Sequence, residues 1–449
     1  MTANSLLKML LGIKGASVCG YDLEMRDGEV AAVKVHARVG RRHRWRCPVC
    51  GRRRPVHDYA CEERFWRGMD FGPAAVWIGA SVPRVRCPAH GVLTASVPWA
   101  KPGSGFTLDF AYSAAWMVKA GLSKSKTSEC LRIDWKTVGR LVELVWRDLE
   151  PDVSARFDGL VSIGIDETSY KKGHSYITTV VNHATNTVVW AAEGFGKEVV
   201  ERFFEMLTPG QRASIEVVSG DGARFITDSA ARYCPNAVRC LDPFHVVEWA
   251  NVALDAVRVD AWRRALAELA EMKKRGGGGD EARKAKKEAE EIKRARYALG
   301  KNPENLTGRQ RERLSVIQAK DGPLARAYAL KEQLRAILKM SDAGEAGECL
   351  AKWIAWARRC RIPAFVELQR KIGRHREHIL NTIRCGISNA RVEALNNKIK
   401  PLIRIAYGFR NTHTMIALVM MLCSNIEIPW PGRRTQNVGQ KKSEDGTAV

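Results

Sequence analysis

Three acidic strings, spread over more than half of the chain, are the residues best equipped for chemistry. They are Ile163-Gly164-Ile165-Asp166-Glu167, Val217-Val218-Ser219-Gly220-Asp221-Gly222, and Ser388-Asn389-Ala390-Arg391-Val392-Glu393-Ala394-Leu395-Asn396-Asn397-Lys398. The first two read as apolar strands that end at a carboxylate. The third reads as a carboxylate on a helix capped by Ser388 or Asn389. Strand ends hold acids side by side, and gathered acids repel one another unless cations sit among them. Mg²⁺ takes oxygen ligands and is commonly shared with substrate phosphates, so the strings predict a Mg²⁺ (or Mn²⁺) site.

The chain that must position these acids has 449 residues and a formal net charge of +24. That charge favours polyanionic partners through counterion release, so the phosphates are those of nucleic acid. Hydrophobic residues make up 45% of the chain, enough for several packed cores. No stretch approaches the roughly 20 apolar residues that span a bilayer, and the run Leu6 to Ile13 lacks a cleavage pattern. A cytoplasmic, nucleoid-associated protein with no membrane partner is expected, its isolated cysteines buried as free thiols.

Cys47-Pro48-Val49-Cys50-Gly51 and Cys87-Pro88-Ala89-His90-Gly91 are two knuckle-like turns. Each offers two soft ligands with a glycine to relieve the backbone. Cys47, Cys50, Cys87 and His90 together make a set suited to tetrahedral structural Zn²⁺, with Cys61 and His57 as spare donors. Residues 38–54 hold eight arginines and no acid, with Trp45 and His43 interleaved. Among them Arg41, Arg42 and Arg44 are candidates to contact the DNA backbone.

After a break at Gly121, Ser123–Leu131 reads as a short helix. Asp134 is a good N-cap for a second helix beginning Trp135-Lys136-Thr137. Two helices joined by a tight turn fit a helix-turn-helix that reads the major groove, and Lys136, Thr137 and Arg140 are its candidate readers. Any small helical bundle would look alike.

Between residues 158 and 250 strands and helices alternate. Apolar runs fall at Leu160–Ile165, Tyr176–Val181, Val188–Ala192, Glu216–Ser219 and Ala237–Leu241, with helices near Lys197–Leu207 and Arg224–Tyr233. Acids at the end of the first strand, after the fourth and on a late helix fit a ribonuclease-H-like α/β core. Glu167 follows Asp166 directly and points to the other face if the strand continues. Asp228 lies in a helix and faces solvent. Asp242 ends the next strand, with His245 three residues on; the pair supports the site, or His245 contacts the scissile region, or it is a core histidine. Residues 255–383 are almost wholly helical around a Gly276–Gly279 linker, and the stretch from Pro431 reads as disordered.

These strings resemble the DDE transposases of the ISL-three group of bacterial insertion sequences. The resemblance is carried by Gly164-Ile165-Asp166-Glu167, Lys171–Tyr176, Asp221, Asp242-Pro243-Phe244-His245-Val246-Val247 and Lys301–Thr307. It continues in Ile387-Ser388-Asn389 leading to Glu393, Asn396, Asn397, Lys398, Ile399 and Lys400, and in Tyr407–Asn411. It implies that Asp166, Asp221 and Glu393 are a catalytic triad and that the helical segment is inserted into a nuclease-like core. In a two-metal site, Asp166 then bridges both ions while Asp221 and Glu393 bind one each. Lys398, Lys400 and Arg404 follow closely enough to hold DNA phosphates.

The expected architecture is an α/β ribonuclease-H-like core with a large all-helical insertion, preceded by a small zinc-ribbon domain and a helix-turn-helix domain. The zinc-binding domain covers residues 1–100 and the helix-turn-helix domain 101–155. The catalytic domain covers 156–254 and 386–428, the helical insertion 255–385, and the tail 429–449. The expected activity is that of a transposase which cleaves and joins DNA at terminal inverted repeats and inserts it into target DNA, working as a homodimer or larger. A structure-selective nuclease on the same core and a DNA-binding regulator without activity are the alternatives.

Overall fold

The computed structural model describes residues 2–59, 61–150, 155–171, 173, 175–275, 279–319, 322–387, 399 and 412–430. The chain forms two compact units, residues 1–151 with 405–449, and residues 152–404.

The first unit opens with α1 (Ala3–Leu10) and seven strands: β1 (Ala16–Arg26), β2 (Glu29–Val39), β3 (Val56–Tyr59), β4 (Arg64–Phe71), β5 (Ala74–Ala80), β6 (Pro83–Cys87) and β7 (Gly91–Thr94). They make two sheets, a four-stranded one ordered β1-β2-β5-β4 and a three-stranded one ordered β3-β6-β7. Zinc-ribbon character is thus confined to the smaller sheet and the loop before it, and a second sheet accompanies it within residues 1–100. Alternation drives both. In β2 the side chains of Val33, Val35 and Ala37 are buried, and in β6 those of Pro83, Val85 and Cys87, while Arg84 and Arg86 face out.

Three helices follow: α2 (Leu108–Lys119), α3 (Lys124–Leu131) and α4 (Trp135–Leu149). Each start is capped by the side chain just before it. Thr107 accepts from the Phe110 N–H, Ser123 from the Lys126 N–H, and Asp134 from the Lys136 N–H at 2.8 Å. Gly121, at φ +102°, supplies the left-handed residue that ends α2. Val138, Leu141, Val142 and Val145 of α4 are buried at helical spacing, against α2 and α3.

The second unit begins with β8 (Ser162–Lys171), β9 (Ser175–Asn182), β10 (Thr187–Glu193), α5 (Lys197–Met206), α6 (Pro209–Ala213), β11 (Val217–Gly220), α7 (Arg224–Tyr233) and β12 (Val238–Leu241). The apolar runs in the sequence correspond to these strands. One sheet results, ordered β10-β9-β8-β11-β12. β8, β9 and β10 pair antiparallel, whereas β11 pairs parallel with both β8 and β12. Phe203 and Phe204 of α5 are fully buried against Ile163, Ile165, Val218 and Trp190. Burial of each such ring stabilises the sheet by roughly 2–3 kcal/mol.

The other described residues of this unit are largely helical: α8 (Pro243–Lys274), α9 (Gly279–Arg294), α10 (Arg296–Gly300), α11 (Gly308–Ala319), α12 (Pro323–Ile337), α13 (Ala343–Arg359), α14 (Pro363–Arg374) and α15 (Arg376–Arg384). Trp353, Leu334, Phe365 and Ile372 centre one continuous core. α8 begins at Pro243, so the helical bundle grows out of the sheet without a break at residue 254, the boundary expected from composition.

The last described helix, α16 (Thr412–Cys423), packs against α4 in the first unit rather than with the sheet, where the expected domain 386–428 had put it. Met415, Leu418, Val419 and Met421 are all buried. A helix apolar on every side must be enclosed, but its periodicity does not name the neighbour that encloses it. Gly139 permits the approach, since a Cβ there would lie 2.9 Å from Cγ2 of Thr414. The Thr414 hydroxyl donates to Glu143 beside it. Gly139→Val is therefore expected to cost about 1–3 kcal/mol of stability despite the better helix former, measurable by denaturant unfolding.

Candidate active site and zinc centre

Strand register gathers the acids of the second unit. Gly220 of β11 pairs with Ile165 of β8 on one side and with Leu241 of β12 on the other. The next residues are Asp221, Asp166 and Asp242. Three carboxylates therefore stand in a row just past the parallel pairing of three adjacent strands, which lie about 4.8 Å apart. This is the edge where open α/β sheets bind ligands. β8 does not end at Asp166; it continues to Lys171 against β9, while its pairing with β11 stops at Ile165.

Each acid has a distinct setting. Asp221 accepts from the Ala223 N–H at 2.9 Å, which turns the chain into α7. Asp242 is buried and caps α8 by accepting from the Phe244 N–H at 2.9 Å. Burial raises its pKa, and the charges of Asp166 and Asp221 add to the rise against the opposing Phe244 N–H and His245. Glu167 accepts from the Gly196 N–H at 2.8 Å. Its pKa also rises, first through burial and then through the charges of Asp221 and Asp166. Asp228 is exposed on α7, as expected, and pairs with Arg224 at 3.6 Å.

Two of the described cations are set closely against this crowding. Nε2 of His245 lies 3.8 Å from Asp166 and 4.0 Å from Asp242, and its Nδ1 lies 3.3 Å from Glu248. Burial alone would lower the imidazole pKa, but the hydrogen bond to Asp166 and the charges of Asp242, Asp166 and Asp221 push it up to about 9. The second cation, Arg239, was not anticipated. It is buried in β12 and donates to the backbone carbonyls of Asp221, Cys240 and Val218. Burial lowers its pKa to about 10, with the charges of Asp221 and Asp242 opposing the drop. An arginine inside the apolar run Ala237–Leu241 was the only sequence signal for it.

Glu393 lies outside the described residues, as do Lys398, Lys400 and Arg404. The row of three acids is thus described without the third member of the expected triad.

In the first unit, Cys47, Cys50, Cys87 and His90 bring one ligand atom each to within 4.8 Å of one another. Sγ of Cys50 is 3.8 Å from Sγ of Cys87, and Nδ1 of His90 is 3.7 Å from Sγ of Cys47 and 3.4 Å from Sγ of Cys87. A tetrahedral zinc with Zn–S near 2.3 Å requires S–S edges of about 3.8 Å and S–N edges of about 3.6 Å. The donor set fits zinc in kind and in size. Gly51 at φ +66° and Gly91 at φ +73° make the two knuckle turns, and the alternation of β6 carries Cys87 inward. Thiolate character is favoured at Cys87, whose pKa falls to about 7 because backbone N–H groups and the neighbouring cysteines outweigh burial. His57 and Cys61 stand apart from this group, His57 accompanying Asp58 and Arg86.

Of the arginines, Arg41 and Arg42 are exposed. Arg44 is half-buried and donates Nε to the Val39 carbonyl at 2.5 Å, and Arg53 stacks on Trp45 at 4.7 Å. At the start of α4, Lys136 and Arg140 are exposed, and Arg140 donates to the Thr137 hydroxyl at 3.0 Å. Lys124 of α3 lies over the exposed Trp135 ring, 5.1 Å from its centroid.

A zinc ribbon, a capped helix-turn-helix and an acidic row on a mixed sheet are together the parts of an enzyme that acts on DNA. Residues 163–419 match the transposase profile of the ISL3 family, residues 95–146 its helix-turn-helix domain, and residues 43–90 the zinc finger of the IS204, IS1001, IS1096 and IS1165 transposases. The chain is similar to the transposase for insertion sequence element IS1557 of Mycobacterium tuberculosis. The two are 42% identical over 436 residues, spanning 95% of this chain and 97% of that protein. It is also similar to the IS1001 transposase of Bordetella parapertussis, 27% identical over 286 residues, 62% of this chain and 66% of that one. The chain belongs to the ISL3 family of insertion-sequence transposases. No helix among the described residues is long and apolar enough to cross a membrane.

Proposed function

We propose that this transposase cuts and joins DNA at its element's terminal inverted repeats through the carboxylates of Asp166, Asp221 and Glu393, on a ribonuclease-H-like core. The observation that carries the reading is the register that puts Asp166 and Asp221 at one level on neighbouring parallel strands. The sheet order, three antiparallel strands followed by two parallel ones, supports the fold. Repulsion from Asp166 and Asp221, felt by Glu167 and Asp242, supports divalent cations as further counter-charge.

Asp166, Asp221 and Glu393 would hold two Mg²⁺ (or Mn²⁺) ions. Bound there, such ions favour deprotonation of an attacking water or DNA 3′-hydroxyl and offset charge on the phosphate. The protein's own groups keep the carboxylates in place. His245 orients Asp166, Asp242 anchors α8 beside it, and Arg239 holds the backbone at Asp221. Cys47, Cys50, Cys87 and His90 would hold a structural zinc that fixes the ribbon.

Sequence reading falls to the start of α4, where Lys136, Thr137 and Arg140 enter the major groove, while Arg41, Arg42 and Arg44 contact the backbone. Lys398, Lys400 and Arg404 grip phosphates near the cut, and two ends are brought together by a homodimer or larger assembly. Arg140→Ala is expected to cost about 1–3 kcal/mol in terminal-repeat binding and to relax sequence preference. Lys136→Ala should likewise weaken binding and relax sequence preference. Unaltered affinity of both variants in anisotropy titrations would rule out α4 as the reader. The function itself is tested by end cleavage and joining with purified protein and a terminal-repeat duplex.

A further inference from the structure

The acidic row has a basic wall that belongs to the helical part of the same unit. Gly222 follows Asp221, and a Cβ on it would lie 2.8 Å from Cη2 of Trp249 and 3.3 Å from Nε2 of His375. The absence of a side chain at Gly222 thus lets α8 and the junction of α14 with α15 close on the catalytic loop. The Trp249 and His375 rings are 5.7 Å apart. On the Trp249 face stands the ammonium of Lys371, 3.6 Å from the ring centroid. Arg374 lies three residues on, on the same side of α14, and is exposed.

We propose that Lys371 and Arg374, on the last turn of α14 and backed by the Trp249 ring, form a phosphate clamp that grips the cut DNA strand beside Asp221. The proposal rests on the assignment of Asp221 to the active site. Several features favour a phosphate over a purely structural role. The cation–π contact fixes the ammonium before DNA arrives, which lowers the ordering cost of binding. The charges of Arg374, Asp221 and Glu248 are felt at Lys371. Burial lowers its pKa, so the ammonium is already partly stripped of water. A cation held there can reach the backbone of a strand whose scissile phosphate sits over the carboxylates, and it offsets the repulsion between that strand and the acidic row.

The test uses the full-length protein with a terminal-repeat duplex. Lys371→Ala with Arg374→Ala is expected to raise KM for end cleavage about tenfold or more and to lower the log–log salt slope of binding by about two, one per phosphate contact. Lys371→Arg should restore most of the loss. In the wild type, a neutral methylphosphonate at a phosphate flanking the cut should weaken the substrate to the same degree, with no further loss in the double variant. No methylphosphonate effect at any flanking phosphate in the wild type would overturn the clamp, whatever the folding of the variants. So would a double variant with wild-type KM and salt slope while Asp221→Asn is inactive. If Asp221→Asn itself still cut DNA, the catalytic reading and the clamp would fall together.

Discussion

Asp166→Asn and Asp221→Asn are each expected to reduce end cleavage roughly a thousandfold or more, with terminal-repeat binding changed less than about twofold. The substitution keeps shape and hydrogen-bonding reach but removes the charge that would hold a divalent ion. Several kcal/mol of transition-state stabilisation go with it, and each 1.4 kcal/mol or so is a factor of ten. The two residues occupy equivalent positions on neighbouring strands, so the double variant should be little worse than either single one. Asp242 stands at the same level but is buried as the cap of α8, so Asp242→Asn should cost only about 10- to 100-fold, as for residues that support a ligand rather than act as one. Single-turnover cleavage of a labelled duplex across a Mg²⁺ titration separates the outcomes. Full activity in either Asp166→Asn or Asp221→Asn would remove the carboxylates from the chemistry.

Removal of zinc should have the second large effect. The four donor atoms of Cys47, Cys50, Cys87 and His90 are already spaced for a tetrahedral ion, and they join the two knuckle turns on either side of β6 in the small sheet. Metal binding at such sites supplies roughly 10 kcal/mol or more of apparent folding free energy. Cys87→Ser, or treatment with a strong chelator, should release one zinc per chain, expose the ribbon to protease and abolish terminal-repeat binding. His90→Cys should keep its zinc, because four thiolates also suit a tetrahedral ion. Metal analysis combined with limited proteolysis reads both results. A protein purified without zinc that still binds its repeats with full affinity would contradict this account.

Much of the site is legible in the chain itself. Apolar runs marked every strand of the catalytic sheet, and an acid placed just past such a run lands at the sheet's C-terminal edge whatever the details of packing. The paired knuckles gave the zinc donors for the same local reason. Asp134 announced the start of α4. Other features depend on partners far away in sequence. Arg239 is a charge within a short apolar strand, and only the fold reveals the carbonyls that satisfy it. Lys371 and Trp249 look like ordinary helix residues until α8 and α14 bring them together beside Gly222. The four-stranded sheet escaped because β2 and β5 pair parallel although β3 and β4 lie between them along the chain, which alternation within each strand cannot indicate.

The return of α16 to α4 also bears on how damaged copies of such a gene behave. Translation makes α2, α3 and α4 well before the helix that covers the Gly139 side of α4. A polypeptide cut short by a premature stop codon exposes that apolar seam and lacks a complete reader. Remnants of the element truncated before codon 412 would then compete poorly for its ends.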